Sequence, residues 1–405
     1  MVKNEEYVKL VAVGDVIPRD NAVFDPTRSI LKGSDITFGQ LEAVLSQRGT
    51  QRLFERPPFL NRQPGGAPPK EMPWKYDISI MEMPPATARS RHSIDSNVML
   101  EMLSDAGFNV MSFASNHTYG RGEEGIIDTI KALNSKNIAC VGAGKNIDEA
   151  TKPVIFEKKG NKIGFLAYCS VVPPGAWATA HKAGVAPLRV TTSYEQIDWQ
   201  PGSPPLTHSK CHQDDLAGMI DDIKKLRKQV DVLIVSMHWG IHMVPGLIAE
   251  YQIEAGHTAI DAGADLILGH HAHILKAIEV YKGKAIFYSL GNFSMKHRFK
   301  VKAHKASGLY WTTHFGPMEV DIERPYYNYP PDSQKTIIVE CDVADKKLQR
   351  VSYLPCWINA QSAPETISRS DPRSGEHLRY MQWCCGSQGF DTHFSQDEDK
   401  NVVVT

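Results

Sequence analysis

Three histidines occur together at one point of the chain, directly after a short apolar run. Residues 265–268 are followed by Gly269, His270, His271, Ala272 and His273. An apolar run that ends in glycine predicts a buried strand opening into a loop, and such loops line the ligand-binding crevice of α/β sheets. Because histidine is the commonest metal ligand, His271 and His273 are candidate ligands of one cluster. Alone, the motif equally fits a polar loop with solvated histidines.

Four other apolar runs also end in residues that bind metals. Asp15 follows residues 7–13, Glu42 ends residues 34–42, Asn116 and His117 follow residues 108–114, and His238 follows residues 231–237. Taken singly, Gly14-Asp15 is a common turn pair and Glu42 an ordinary surface carboxylate. Their recurrence at the same end of successive predicted strands predicts a shared site. Carboxylates, a carboxamide and imidazoles suit Mn, Fe, Zn or Co, and their number exceeds one tetrahedral site, so two divalent ions are expected.

The order of the elements predicts an α/β fold. One predicted helix begins at Ser96 and ends before Gly107, and three more span residues 123–135, 214–226 and 247–262. Each has apolar residues at helical spacing. Strands are predicted between them at residues 138–141, 162–168 and 285–289, which gives the alternation typical of this class. Residues 336–342 and 347–354 are expected to form a paired hairpin at a sheet edge.

Three irregular segments interrupt this pattern, at about residues 50–92, 170–212 and 296–335. They contain proline pairs, which exclude long helices and central strands. Segments of this length in a compact protein are usually insertions, lids or binding loops. We predict one domain over residues 1–360 with three insertions, followed by a polar surface appendage at residues 361–405.

Composition restricts the possible partners. The 405 residues contain 45 Lys and Arg against 46 Asp and Glu, a net charge of −1, so no nucleic-acid partner is expected. The apolar run at residues 7–13 is too short for a signal sequence or a membrane span. Seven cysteines without a metal-type pair fit a reducing compartment. A cytoplasmic protein without membrane contact is therefore expected, and its oligomeric state is left open.

Six motifs, taken in order, resemble those of a known family. They are Gly14-Asp15, Gly39-Gln40-Leu41-Glu42, Ser115-Asn116-His117, Ser236-Met237-His238-Trp239-Gly240, residues 269–273, and Tyr288-Ser289-Leu290-Gly291-Asn292-Phe293. Together they resemble the CapA-type poly-γ-glutamate capsule biosynthesis family, within the calcineurin-like metallophosphoesterase superfamily. The resemblance covers about residues 7–295. The chain departs from the commoner pattern at Gln40, Gly120 and His242, where Asn, Asp and Glu are frequent.

The resemblance implies a four-layer α/β/β/α sandwich with a dinuclear site at the strand ends. By that analogy, Asp15 and His273 would bind one metal, Asn116, His238 and His271 the other, and Glu42 would bridge them. His117 would be an imidazole that binds no metal and acts as a general acid. Asn292 is expected to brace the metal-binding loops rather than to bind metal.

The predicted activity is a metal-dependent hydrolysis of an amide, peptide or phosphoester bond, with a small molecule or peptide as substrate. A pair of divalent ions lowers the pKa of bound water and so favours attack by hydroxide. A metal-dependent peptide epimerase is an alternative, because His242 and His270 could serve as two bases. Both could equally orient other ligands. A third alternative is a non-catalytic partner of a polyglutamate synthase.

Overall fold

The computed structural model describes residues 7–49, 96–201, 203–296, 324, 327, 329–397 and 402–405. The first predicted insertion, residues 50–92, lies outside the described residues, and so does most of the third. The second, residues 170–212, is described except for position 202.

Strands and helices alternate along the chain. The strands are β1 (Val8–Ile17), β2 (Ile36–Leu41), β3 (Val110–Ser112), β4 (Ala139–Val141), β5 (Ala143–Gly144), β6 (Val154–Lys158), β7 (Asn161–Cys169), β8 (Gly184–Val185), β9 (Val190–Glu195), β10 (Leu206–Cys211), β11 (Val232–His238), β12 (Leu266–His270), β13 (Ile278–Tyr281), β14 (Lys284–Phe287), β15 (Asn292–Met295), β16 (Lys335–Ala344), β17 (Lys347–Ile358), β18 (Pro364–Thr366), β19 (Phe394–Gln396) and β20 (Val402–Val404). The helices are α1 (Arg28–Lys32), α2 (Ser96–Ala106), α3 (Gly122–Ser135), α4 (Ile147–Ala150), α5 (Gln213–Arg227), α6 (Glu250–Ala262) and α7 (Pro372–Ser387). Asn21–Phe24 and Pro331–Gln334 are short 3₁₀ helices.

Two mixed sheets form the body of the described chain. The first has the order β19-β20-β17-β16-β1-β2-β3-β4, with β15 also paired to β1 and β18 to β17. The second has the order β13-β14-β12-β11-β7-β6. Strands β1 to β4 are parallel to one another, as are β7, β11, β12 and β14. The predicted α/β class is confirmed.

The two sheets pack face to face through apolar side chains. Phe38 of β2 stacks on Phe165 of β7 with ring centroids 5.8 Å apart. Leu10 and Ala12 of β1 belong to this core, whereas Val11 and Val13 point to the opposite face and pack in the cluster that contains residues of α2 and α3. This alternation follows from the two-residue period of a strand that is buried on both faces.

The predicted end of the first strand is wrong, because β1 continues through Asp15 to Ile17. Its last residues pair in parallel with β15, and the register shifts between Asp15 and Val16. β15 lies almost 280 residues further along the chain, and no local pattern indicates such a partner.

The second irregular segment contains regular structure that the sequence analysis missed. β9 and β10 pair as an antiparallel ribbon, with Val190 opposite Cys211 and Glu195 opposite Leu206. Most side chains of β9 are exposed, so the alternation between apolar and polar residues that identifies a half-buried strand is absent.

The predicted hairpin of β16 and β17 is present but is not at a sheet edge. β16 pairs with β1 on its other side, and β17 pairs with β18 and β20. The hairpin therefore lies inside the first sheet.

The prediction of a polar surface appendage after residue 360 is also corrected. β18, β19 and β20 add to the first sheet, and α7 buries four side chains, those of His377, Met381, Cys384 and Cys385. Only part of the α7 surface is polar, and its buried positions recur at helical spacing. The domain boundary at residue 360 stays a prediction.

We expect Met381→Ala to destabilise the protein by about 2–5 kcal/mol, because a fully buried side chain is truncated. The free energy of unfolding in urea measures this loss. Arg379→Ala, at an exposed position of the same helix, should stay within about 0.5 kcal/mol of the wild type. Equal, small effects of both substitutions would contradict the packing of α7 on the core.

Within the described ranges, no helix has both the length and the apolar character that crossing a bilayer requires.

Candidate metal centre

Residues from both sheets meet where the parallel strands end. Asp15 lies in β1, and Glu42 directly follows β2. His238 and His270 are the last residues of the neighbouring strands β11 and β12 and lie opposite each other in register. The loop after β3 contributes Asn116 and His117, and the loop after β12 contributes His271 and His273. The fold thus assembles the residues that the sequence analysis expected to share a site.

Asp15 and Glu42 form a pair of buried carboxylates at the centre of this cluster. Asp15 is 0% exposed and Glu42 2%, and oxygens of both lie within 4.8 Å of each other and of a His238 ring nitrogen. Burial, together with the charge of Asp15, raises the pKa of Glu42 to about 8. Burial also raises the pKa of Asp15, but its hydrogen bond and attraction to His273 outweigh this and leave that pKa below its usual value. Two adjacent buried carboxylates are unfavourable without a nearby cation.

The imidazoles of His238 and His273 contact opposite parts of the carboxylate pair. His238 Nδ1 is 3.4 Å from Glu42 Oε1, and His238 Nε2 is 2.9 Å from Asn116 Oδ1. His273 Nδ1 is 3.1 Å from Asp15 Oδ2. Burial lowers the pKa of His238 well below its usual value. For His273, the contact with Asp15 overcomes the effect of burial and raises the pKa.

His271 lies between the imidazoles of His238 and His273. Its ring centroid is 4.8 Å from that of His238 and 6.1 Å from that of His273. The backbone at His271 and at His273 has positive φ, 87° and 56°, which is uncommon for residues other than glycine. Such backbone conformations are costly and concentrate at functional sites.

His242 and His270 have different surroundings. The ring of His242 lies 3.8 Å from His271 and 5.1 Å from His273, and burial lowers its pKa to about 3. His270 is 0% exposed, with Nδ1 3.7 Å from Asp15 Oδ1 and its ring 5.8 Å from that of Phe38. His242 therefore lies beside the candidate ligands, whereas His270 lies beneath Asp15 in the core.

His117 is at the mouth of the cluster. Its side chain is 52% exposed, and its Nε2 is 3.3 Å from Glu42 Oε2. Ser115 Oγ accepts from the His117 backbone N–H at 3.0 Å and donates to Glu42 Oε1 at 3.1 Å. His117 can thus face a bound molecule while its backbone stays attached to the carboxylate pair.

Two of the positions that depart from the family pattern have structural explanations. Gln40 is fully buried, and its Nε2 donates to the Ala114 carbonyl oxygen at 3.3 Å, which ties β2 to the loop that contains Asn116. Gly120 donates its backbone N–H to the His117 carbonyl oxygen at 2.9 Å and closes the turn after the Asn-His pair.

Asn292 lies against the candidate ligand His273, and its bracing role stays a prediction. Two tyrosines near the site were missed. His273 Nδ1 lies 2.8 Å from Asn292 Oδ1. Asn292 Nδ2 donates to Tyr327 Oη at 2.9 Å, and the ring of Tyr329 lies 5.5 Å from that of His273. Both tyrosines belong to the third irregular segment, where the sequence has no periodic pattern to indicate their position.

The residues fit divalent cations. Oxygen and imidazole donors surround the buried carboxylates, a set suited to Mn, Fe, Zn or Co. His271 Nδ1 is buried and has no hydrogen-bond partner within the described part of the chain, although buried polar atoms are nearly always paired. A cation bound between the carboxylates and the imidazoles would complete the coordination of these atoms.

Comparison with known proteins gives the relationships of the chain. The family model "Bacterial capsule synthesis protein PGA_cap" matches residues 82–297. The PGA biosynthesis protein CapA of Bacillus subtilis is 28% identical over 68% of this chain and 65% of its own length. The capsule biosynthesis protein CapA of Bacillus anthracis is 32% identical over 48% of this chain and 42% of its own length. A probable polyglutamine synthesis accessory protein of Mycobacterium tuberculosis is 30% identical over 45% of this chain and 44% of its own length.

The chain thus spans 65% of the length of the Bacillus subtilis protein and less than half of the other two. The family model covers more than half of the chain and confirms the resemblance that the motifs indicate. The chain belongs to the bacterial capsule synthesis protein PGA_cap family, within the metallophosphoesterase-like superfamily.

Proposed function

We propose that the protein is a hydrolase that depends on two divalent metal ions. The observation on which this depends is the buried pair Asp15 and Glu42, surrounded by imidazole and carboxamide donors from both sheets. Residues with strongly shifted pKa values in one cluster are typical of functional sites.

The distances support a division of the ligands into two groups. Asp15 and His273 lie 3.1 Å apart and would bind one ion. Asn116 and His238 lie 2.9 Å apart and, with His271, would bind the second. Glu42 is within 3.4 Å of His238 and next to Asp15, and it would bridge the two ions.

When bound, the two ions would supply Lewis acidity and a water activated for attack. The residues of the chain orient and transfer protons around them. His117, half exposed and 3.3 Å from Glu42, is positioned to donate a proton to a leaving group. His242 would limit the rotation of the neighbouring His271 ring by packing against it, and His270 would fill the core 3.7 Å from Asp15.

We propose an amide bond as the target, in preference to a phosphoester. The related proteins are named for PGA, capsule or polyglutamine synthesis, and a glutamate polymer is joined by amide bonds. The substrate would then be a peptide-like chain or a small amide. A cytoplasmic location stays a prediction.

The epimerase alternative needs two bases that both reach the substrate. His242 lies beside the candidate ligands, but His270 is 0% exposed beneath Asp15, so the geometry favours hydrolysis. The non-catalytic alternative is supported by the word "accessory" in the name of the Mycobacterium tuberculosis relative.

We also propose the four-layer order of the superfamily for this chain. Its support is the packing of the two sheets through Phe38 and Phe165, with α2 and α3 on the outer face of the first sheet and α5 and α6 against β11 and β12 of the second.

Product mass in labelled water tests the proposed reaction. The protein, supplied with Mn²⁺ or Zn²⁺, is incubated with γ-linked glutamate polymer in H₂¹⁸O and, separately, in D₂O. Hydrolysis gives shorter chains with one ¹⁸O in each new carboxyl group. Full-length polymer that gains deuterium would establish the epimerase instead. Unchanged polymer in both solvents, together with a partner-complex activity that survives chelation, would favour the non-catalytic role.

For His117→Ala we expect metal binding to be retained and turnover to fall by about 10²–10⁴-fold, the usual contribution of a general acid. The half-exposed ring can be removed without a core cavity. Steady-state kinetics and metal content are measured on the same sample. Full turnover in a variant that keeps its metals would remove His117 from the mechanism.

A further inference from the structure

A chain of hydrogen bonds leads from the third irregular segment to the candidate ligand His273. Tyr327 Oη lies 2.5 Å from the Ser333 carbonyl oxygen. Asn292 Nδ2 lies 2.9 Å from Tyr327 Oη, and Asn292 Oδ1 lies 2.8 Å from His273 Nδ1. Asn292 and Tyr327 are both 0% exposed, so bulk solvent does not compete for these hydrogen bonds.

The directions of these bonds follow from what each group can donate. A carbonyl oxygen only accepts, so the Tyr327 hydroxyl donates its one proton to Ser333. Tyr327 Oη must therefore accept from Asn292, which requires the Asn292 NH₂ group to face the tyrosine. Asn292 Oδ1 then faces His273 and accepts from Nδ1–H. The network thus determines the orientation of the Asn292 amide.

We propose that Tyr327 is a positioning residue that fixes the tautomer of His273 through Asn292, with the proton on Nδ1 and the Nε2 lone pair free to bind a metal ion. This inference rests on the proposed function, in which His273 is a metal ligand. In metal-binding histidines generally, a hydrogen bond from the ring nitrogen that does not bind the metal selects the tautomer. Here the selecting tyrosine comes from outside residues 82–297, the part matched by the family model.

The position of Asn292 links this network to the rest of the site. Asn292 is the register partner of Asp15 in the parallel pairing of β15 with β1. The same His273 Nδ1 that donates to Asn292 lies 3.1 Å from Asp15 Oδ2. Asn292 thus sets the direction of the Nδ1–H bond beside the carboxylate that would share the metal with His273.

Without the tyrosine hydroxyl, the Asn292 NH₂ group loses its acceptor among the described residues, and the amide can rotate by 180°. Its NH₂ group would then face His273 Nδ1 and oppose the Nδ1–H bond to Asp15 Oδ2, which favours movement of the ring proton to Nε2. Nε2 would no longer be a ligand. The loss is specific to one of the two proposed ions, because Asn116, His238 and His271 are not in this network.

The test compares Tyr327→Phe with Tyr353→Phe in the full-length protein. Tyr353 is equally buried, and its hydroxyl has no hydrogen-bond partner among the residues that the structure covers. Titration calorimetry with Mn²⁺ should show one site about 10- to 100-fold weaker in Tyr327→Phe, the other site unchanged, and both sites unchanged in Tyr353→Phe. Wild-type affinity at both sites in Tyr327→Phe would overturn the proposal.

Nitrogen NMR of histidine-labelled, metal-free protein at alkaline pH gives a second readout that a merely structural role would not change. We expect the Nδ1–H tautomer of His273 in the wild type and the Nε2–H tautomer in Tyr327→Phe. An Nε2–H tautomer in the wild type would overturn the inference even if the variant did not fold. Wild-type protein that binds no Mn²⁺ but has the expected tautomers would overturn the proposed function and leave the positioning role established.

Discussion

Glu42→Gln is expected to weaken metal binding by more than 100-fold while leaving the metal-free protein at least as stable as the wild type. Residues that only orient ligands already change affinity by about 10–100-fold, and Glu42 would contact both ions. In the metal-free protein, burial and the neighbouring Asp15 raise the pKa of Glu42 to about 8. The folded chain therefore favours a neutral group at this position near pH 7, and glutamine has nearly the same shape.

Metal content after reconstitution with Mn²⁺ checks the first part, and the midpoint of urea unfolding in the presence of a chelator checks the second. Glu279→Gln is a matched control: it neutralises another largely buried carboxylate, whose partners are His257 and Tyr288. This control should keep its metals. A Glu42→Gln protein that retains two tightly bound ions would show that Glu42 is not a bridging ligand.

Gly14→Ala is expected to destabilise the protein by more than about 3 kcal/mol and to abolish metal binding. A Cβ at this position would lie 1.9 Å from the Gly291 carbonyl oxygen. The clash is with backbone, which cannot rotate away, so the cost should exceed the usual 1–3 kcal/mol of an overpacked site. The adjacent Asp15 N–H donates to the same oxygen at 3.0 Å, so relief of the clash would displace Asp15.

Gly218→Ala is the control for this substitution. Gly218 lies in α5, and a Cβ there would meet nothing within 4 Å, so we expect an increase in stability of about 0.5–1 kcal/mol. Urea unfolding and Mn²⁺ titration are measured on both variants. Near wild-type stability in Gly14→Ala would contradict the close approach of β1 and β15.

The candidate ligands could be predicted from the sequence because their signal is local. Each follows an apolar run, and the parallel strands of one sheet end on the same side, so Asp15 lies near Glu42 in the first sheet and His238 beside His270 in the second. The packing of the two sheets then brings these pairs together. The His271 and His273 loop follows the same rule. The position of Asn292 just after the predicted strand at residues 285–289 could be inferred in the same way.

The remaining features depend on contacts between distant parts of the chain. The extension of β1 beyond Asp15 requires β15, and the complete burial of His270 requires Phe38 of the other sheet. Tyr327 contacts Asn292 from a segment with no periodic pattern. The sequence of α7 resembles a polar tail because only four of its sixteen residues are buried, and polar residues surround them.

The number of metal ions per chain tests the central claim most directly. Purified protein is stripped with a chelator, reconstituted with Mn²⁺, freed of excess ion and analysed by mass spectrometry for metal and by amino-acid analysis for protein. The arrangement of Asp15, Glu42, Asn116, His238, His271 and His273 predicts two ions per chain in the wild type and a loss of ions in Asp15→Ala and His271→Ala. Wild-type protein with no bound ion, or variants with the full wild-type content, would contradict the dinuclear centre.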